Sequence, residues 1–173
     1  HERFEYALPK AEEPKWLYLS SLGDNSLDST LAWIKQLESW PTTKLAFQPG
    51  TYQMQFGKEA LAPVYQRTDI FFCNKEEAER ILGIAPTEDL KGLLTQIKAL
   101  GPKIAVITDD VRGAYAMDEA NAAWFIPRYP DPRAPFEITG AGDAFASGTT
   151  AALALGKNLQ EALMWGAADA SAV

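Results

Sequence analysis

Four short apolar runs, the first three each followed by a segment with helical periodicity, set the strongest limit on how this chain can fold. The runs are WLYLSSLG (Trp16–Gly23), KLAFQPG (Lys44–Gly50), DIFFCN (Asp69–Asn74) and KIAVITD (Lys103–Asp109). After the first, Asp24-Asn25-Ser26 offers caps for a helix through Trp40, with Leu27, Leu31, Ile34 and Leu37 at helical spacing. After the second, residues 53 to 65 read as helical, interrupted by Gly57 and Pro63. Helices over Lys75–Leu82 and Thr87–Leu100 follow the third. Strand and helix alternating in this way build βαβ units, hence a parallel sheet with helices on both faces. Such sheets bind ligands beyond the carboxyl ends of their strands.

After the fourth run the pattern changes. Gly113–Met117 and Ala122–Arg128 read as a hairpin with a polar tip at Asp118 to Asn121. The Pro-rich stretch YPDPRAPFE connects it to two closing helices, about Gly140–Leu155 and Asn158–Ala172. The 173 residues suit a single α/β domain, 1–173, able to bury about two thirds of its unfolded surface. The chain opens on HERFEYALPK without an initiator Met and stops at ADASAV inside a helical pattern, so it is expected to be part of a longer chain.

Charge and rare residues exclude several chemistries. A net charge of −7 leaves no basic stripe for nucleic acid. His1 is the one histidine and Cys73 the one cysteine, so a Cys/His zinc site and a triad built on an interior histidine are excluded. Cys73, inside DIFFC, is expected to be a buried structural thiol, and a single thiol fits a reducing cytoplasm. No apolar run is long enough to span a membrane.

The chemistry concentrates in TGAGDAF (Thr139–Phe145). The first turn of a helix has unpaired N–H groups and the positive end of the macrodipole. Glycines there let the backbone approach an anion, so Gly140, Ala141 and Gly142 can present amides to a phosphate. Asp143 beside that anion makes a poor phosphate ligand and a good base for an attacking hydroxyl. No Gly-Lys-Ser/Thr follows, and the segment does not follow the first strand of a βαβ unit, so neither a P-loop nor a dinucleotide fingerprint fits. Phe145, Gly148, Thr149, Ala152 and Leu155 give the following helix one small, apolar face to set against a sheet.

TGAGDAFASG and the Ala/Leu-rich helix after it resemble the second signature of the ribokinase-like (PfkB) carbohydrate kinases. FFCNKEEAERILG resembles that family's strand and Asn-x-x-Glu segment, IAVITDDVRGAYA its strand–Thr–turn–Gly hairpin, and LAFQPGTYQ its earlier strand and Pro-Gly turn. The resemblance implies a three-layer αβα fold with a mostly parallel sheet, without the N-terminal part that supplies much of the sugar pocket and the lid. It implies that Asp143 is the catalytic base and Gly140, Ala141 and Gly142 the anion hole. Thr108 and Gly113 become nucleotide-binding residues. Asn74 and Glu77 become the pair that arranges Mg²⁺ through water, although the same pair also fits a capping box.

The implied reaction is ATP-dependent phosphorylation of a hydroxyl on a sugar, nucleoside or similar small alcohol, with Mg²⁺ and a monovalent cation as the family's cofactors. A non-catalytic phosphate-binding or self-associating module stands as the alternative, and an ADP-dependent sugar kinase as a third reading. Apolar sheet left uncovered by an absent half favours a homo-oligomer. Three positions depart from the family pattern. Glu137 and Ile138 stand for its Asp and Thr, and Asp110 for a Gly in the nucleotide-side turn. The pair Asp109-Asp110 also fits a solvated turn.

Overall fold

The computed structural model describes residues 12–130 and 139–173. Six strands form one sheet in sequence order, β1 (Trp16–Leu19), β2 (Lys44–Phe47), β3 (Ile70–Asn74), β4 (Ile104–Thr108), β5 (Ala114–Met117) and β6 (Ala123–Ile126). The first four pair in parallel, and β5 and β6 add an antiparallel hairpin. Because β1 to β4 run the same way, their carboxyl ends share one edge of the sheet. The sheet is therefore mostly parallel, as the alternation of strand and helix signals requires.

Side chains alternate across each strand, and the two faces receive different partners. Leu45, Phe47, Phe71, Cys73, Ala105 and Ile107 point to one face. There they meet α1 (Leu27–Gln36), α4 (Ala62–Arg67), α5 (Lys75–Leu82) and α6 (Leu90–Ala99) through Ile34, Val64, Tyr65, Ala78, Leu93 and Ile97. Phe47, Tyr65 and Phe71 form a triangle of edge and tilted ring contacts, with centroids 5.5–5.9 Å apart. Ala46, Ile70, Phe72, Val106, Ala114 and Ala116 point to the other face. That face is rich in alanine, and α7 (Ala141–Ala154) and α8 (Leu159–Ala170) pack on it through Phe145, Ala146 and Leu163. The result is the three-layer αβα arrangement.

Several boundaries differ from the sequence expectation, each for a local reason. The helix after β1 stops at Gln36, and a 3₁₀ turn carries the chain to Ser39. Residues 51–67 make three short helices, α2 (Thr51–Gln55), α3 (Gly57–Ala60) and α4. Gly57, at φ 83°, breaks the run. Pro63 does not; it lies in the first turn of α4, where no N–H is needed. Helix α6 begins at Leu90 because Asp89 caps it, accepting from Gly92 N–H at 2.9 Å. Leu155 does not join the buried face of α7. It is the C-cap, 70% exposed, and Gly156 then turns the chain away. The expected Pro-rich connector lies mostly in 131–138, outside the described residues.

At the amino ends of the strands, Asp69 is buried and holds β2 to β3. Its carboxylate accepts from Leu45 N–H (2.8 Å), Arg67 Nη1 (3.2 Å) and Lys103 Nζ (2.7 Å). Lys44 Nζ stands 3.8 Å away. Asp69→Ala leaves the Leu45 amide without its acceptor and the guanidinium without its charge partner. Denaturant unfolding should show a loss of about 1–3 kcal/mol. Lys44→Ala, which removes an exposed ammonium at the longest of these distances, should cost less than about 1 kcal/mol.

Candidate active site

The carboxyl ends of β2, β3 and β4 and the amino end of α7 meet around a cavity of ≈ 190 Å³. Gln48, Phe72, Cys73, Asn74, Glu77, Thr108, Gly140, Gly142, Asp143 and Phe145 line it. Six of the eight residues singled out from the sequence are among them, although they span positions 74 to 143. Ala141 and Gly113 do not line the cavity. Ala141 is the first residue of α7, and Gly113 immediately precedes β5, where its carbonyl accepts from Asp109 N–H at 2.8 Å.

Gly140 makes the entry to α7 possible. Its φ of 93° and ψ of −13° are left-handed, and it serves as N-cap without offering a side chain. The first intrahelical bond runs from Ala144 N–H to Gly140 C=O at 2.9 Å. The N–H groups of Ala141, Gly142 and Asp143 precede that bond, and no side chain among the described residues caps this turn. The helix is held in place at its other face. A Cβ on Gly166 of α8 would sit 2.1 Å from Thr149 Oγ1 and 2.6 Å from Phe145 O, so glycine is what allows α7 and α8 to approach so closely.

Asp143 is exposed and borders the cavity, and its carboxylate is tethered rather than loose. Gln48 Nε2 donates to its Oδ1 at 2.8 Å. The Tyr18 hydroxyl in turn donates to Gln48 Oε1. Neither Tyr18 nor Gln48 was singled out from the sequence. The position of Gln48, directly after a strand in LAFQPG and so at the ligand-binding edge, was the available signal.

Asn74 and Glu77 form the capping box of α5. Glu77 N–H donates to Asn74 Oδ1 (2.8 Å), and Asn74 N–H donates to Glu77 Oε2 (2.9 Å). Burial pushes the Glu77 carboxyl up from its ordinary value, the Asn74 amide opposes this, and the charges of Asp143 and Glu76 add to it. Two acidic groups thus face one cavity. Among the described residues no cluster of three His, Cys, Asp or Glu side chains could hold a metal ion directly.

The turn after β4 is built differently from a solvated acidic pair. Asp110 is exposed and takes a φ of 45°, left-handed backbone at the position where the resembled family has glycine. Asp109 is buried, with Arg112 Nε 3.0 Å from its Oδ2, an ion pair without hydrogen-bond geometry. Arg112 also donates to Glu88 at 2.6 Å, and Glu88 accepts from Lys75 at 2.6 Å. Those bonds, Lys75's first, hold the Glu88 carboxyl below its ordinary value. They tie the start of α5 to the turn beside Thr108. Cys73 is buried as expected, and burial pushes its thiol well up.

The description "pfkB family carbohydrate kinase" matches residues 1–173. The chain belongs to that family. Curated relatives of this pfkB family chain include a cytidine kinase of Thermococcus kodakarensis, 32% identical over 69% of the chain and 42% of that protein. A nucleoside kinase of Methanocaldococcus jannaschii is 30% identical over 75% of the chain and 40% of that protein. The chain therefore spans about two fifths of the length of these relatives. Solved structures with the same fold include Arabidopsis thaliana ribokinase complexed with ribose and ATP. Its TM-score is 0.76 at 20% identity, over 91% of this chain and 48% of that one. The structure of the M. jannaschii nucleoside kinase gives 0.73 at 23% identity, over 94% and 50%. The sheet and its flanking helices are thus the ribokinase-like fold. No helix among the described residues is long and apolar enough to cross a membrane.

Gly140→Ala should cost about 1–2 kcal/mol in denaturant unfolding, because an L side chain is strained at that φ. The cost is conformational, since the added Cβ meets nothing nearer than Val173 Cγ1 at 3.6 Å. Gly142→Ala, inside the helix with its nearest neighbour at 4.0 Å, should leave stability unchanged or raise it.

Proposed function

We propose that this chain carries the phosphoryl-transfer centre of an ATP-dependent kinase that phosphorylates a hydroxyl of a sugar or nucleoside. One observation carries the reading: a tethered carboxylate, Asp143, stands beside helix amides that no side chain among the described residues caps, at a cavity on the carboxyl edge of a parallel sheet. Family membership supports the reaction class. The names of the two curated relatives favour a nucleoside acceptor.

In this reading the acceptor hydroxyl enters beside Asp143. The carboxylate takes its proton as the hydroxyl oxygen forms a bond to the γ-phosphorus. The bond from that phosphorus to the β–γ bridging oxygen breaks, and ADP leaves with the electron pair. The amides of Gly140, Ala141 and Gly142, at the positive end of the α7 macrodipole, hold oxygens of the migrating phosphoryl group. Thr108 and Gly113 flank the nucleotide on the β4 side. Mg²⁺ neutralises phosphate charge when bound, and the protein's part is indirect. Asn74 and Glu77 are the residues that would hold it, through water.

The test is Asp143→Asn in the full-length protein, assayed with ATP and a panel containing cytidine, adenosine and ribose. Loss of a general base should lower kcat by about 10²–10⁴. A fall of less than about tenfold overturns the assignment. Chelation of divalent ions should abolish turnover of the unaltered protein.

A further inference from the structure

Among the side chains that border the site, two have no part in the transfer step and are nonetheless wired to its base. Gln48 directly follows β2 and borders the cavity, and Tyr18 lies on β1, half-buried on the sheet face that α7 and α8 cover. The Gln48 amide donates from Nε2 to Asp143 Oδ1 at 2.8 Å, and its oxygen accepts from the Tyr18 hydroxyl. From this we infer that Gln48 and Tyr18 form a positioning relay that fixes the Asp143 carboxylate for proton abstraction. The inference rests on the kinase reading above.

The chemistry of the amide makes the relay directional. Turned the other way, its carbonyl oxygen would face a carboxylate, and two acceptors repel. The Asp143 charge therefore fixes Nε2 toward the base and Oε1 toward β1. Only a donor can then complete Oε1, and a phenol supplies one. Burial pushes the Tyr18 phenol above its ordinary value, a Ser20 bond opposes this, and the Asp143 charge adds to the rise, so the hydroxyl keeps its proton to donate.

A carboxylate at the first turn of a helix has rotational freedom, and Asp143 is exposed. With Oδ1 held by Gln48, Oδ2 is the oxygen left to face the acceptor hydroxyl. A neutral partner also suits this place. Glu77 already brings a second acid to the cavity, and a third charge would raise repulsion against an incoming phosphate.

The experiment is a double-mutant cycle in the full-length protein. ATP is the donor, and cytidine or ribose the acceptor, whichever the unaltered protein phosphorylates faster. Gln48→Met keeps the volume and removes the donor. It should lower kcat about tenfold or more with KM for ATP within about twofold, since small misplacement of a reacting group is costly. Tyr18→Phe should lower kcat about threefold, and it supplies the same comparison where Gln48→Met does not fold. In the Asp143→Asn background both changes should alter the residual turnover less than about twofold, because a positioning residue has nothing left to position. Equal losses in both backgrounds overturn the relay in favour of a general structural role. A change confined to KM overturns it in favour of direct substrate contact. An unchanged kcat in both variants, with Asp143→Asn still severely impaired, overturns the relay alone. A mild Asp143→Asn overturns the parent reading and the relay with it.

Discussion

Close packing of α7 against α8 and against an alanine-lined sheet face is the constraint from which the site follows. Ala46, Ala114 and Ala116 keep that face low, and Gly166 lets the two helices touch backbone to side chain. A helix packed at such short range cannot slide without collision, because interiors at crystal-like density tolerate little displacement. Its amino end is therefore fixed relative to the strand ends. In the proposed reaction, that rigidity would make three backbone amides and one carboxylate a preset arrangement rather than a flexible loop.

The parallel pairing of β1 to β4 supplies the other half of the geometry. It gathers Gln48, Asn74 and Thr108 on the same edge, although their positions in the chain are widely separated. The opposite edge is closed by Asp69 and its cationic neighbours, which hold the amino ends of β2 and β3. Polar groups at one end are thus consumed by structure. At the other end, several line an open cavity. Asn74 and Glu77 belong to both categories: they cap α5 and also border the cavity.

Much of this was legible in the sequence, and the reasons are physical. Apolar runs such as IAVIT report strands because burial on two faces demands continuous hydrophobicity. The Gly-Ala-Gly-Asp segment reports the entry to α7, because a left-handed Gly140 and the turn after it are local properties of the backbone. The boundaries that shifted did so where two local signals competed. Pro63 can break a helix or begin one, and Leu155 can continue a helical face or lie beyond its end. The pair Asp109-Asp110 reads as solvated, yet one member is buried, because Arg112 three residues on provides it with a partner.

Sequence by itself determined the order of strands and helices, the mostly parallel sheet, and the residues at the mouth of α7. Each follows from periodicity or from a short motif, which are properties of neighbouring residues. Only the tertiary structure decided that Gln48 meets Asp143 across 95 positions and that Tyr18 completes the chain of donors from a different strand. It alone decided that Glu77 and Asp143 share a cavity, and that Asp109 is buried while Asp110 is not. Contacts between distant segments depend on how strands register and helices pack, and no short window of residues carries that information.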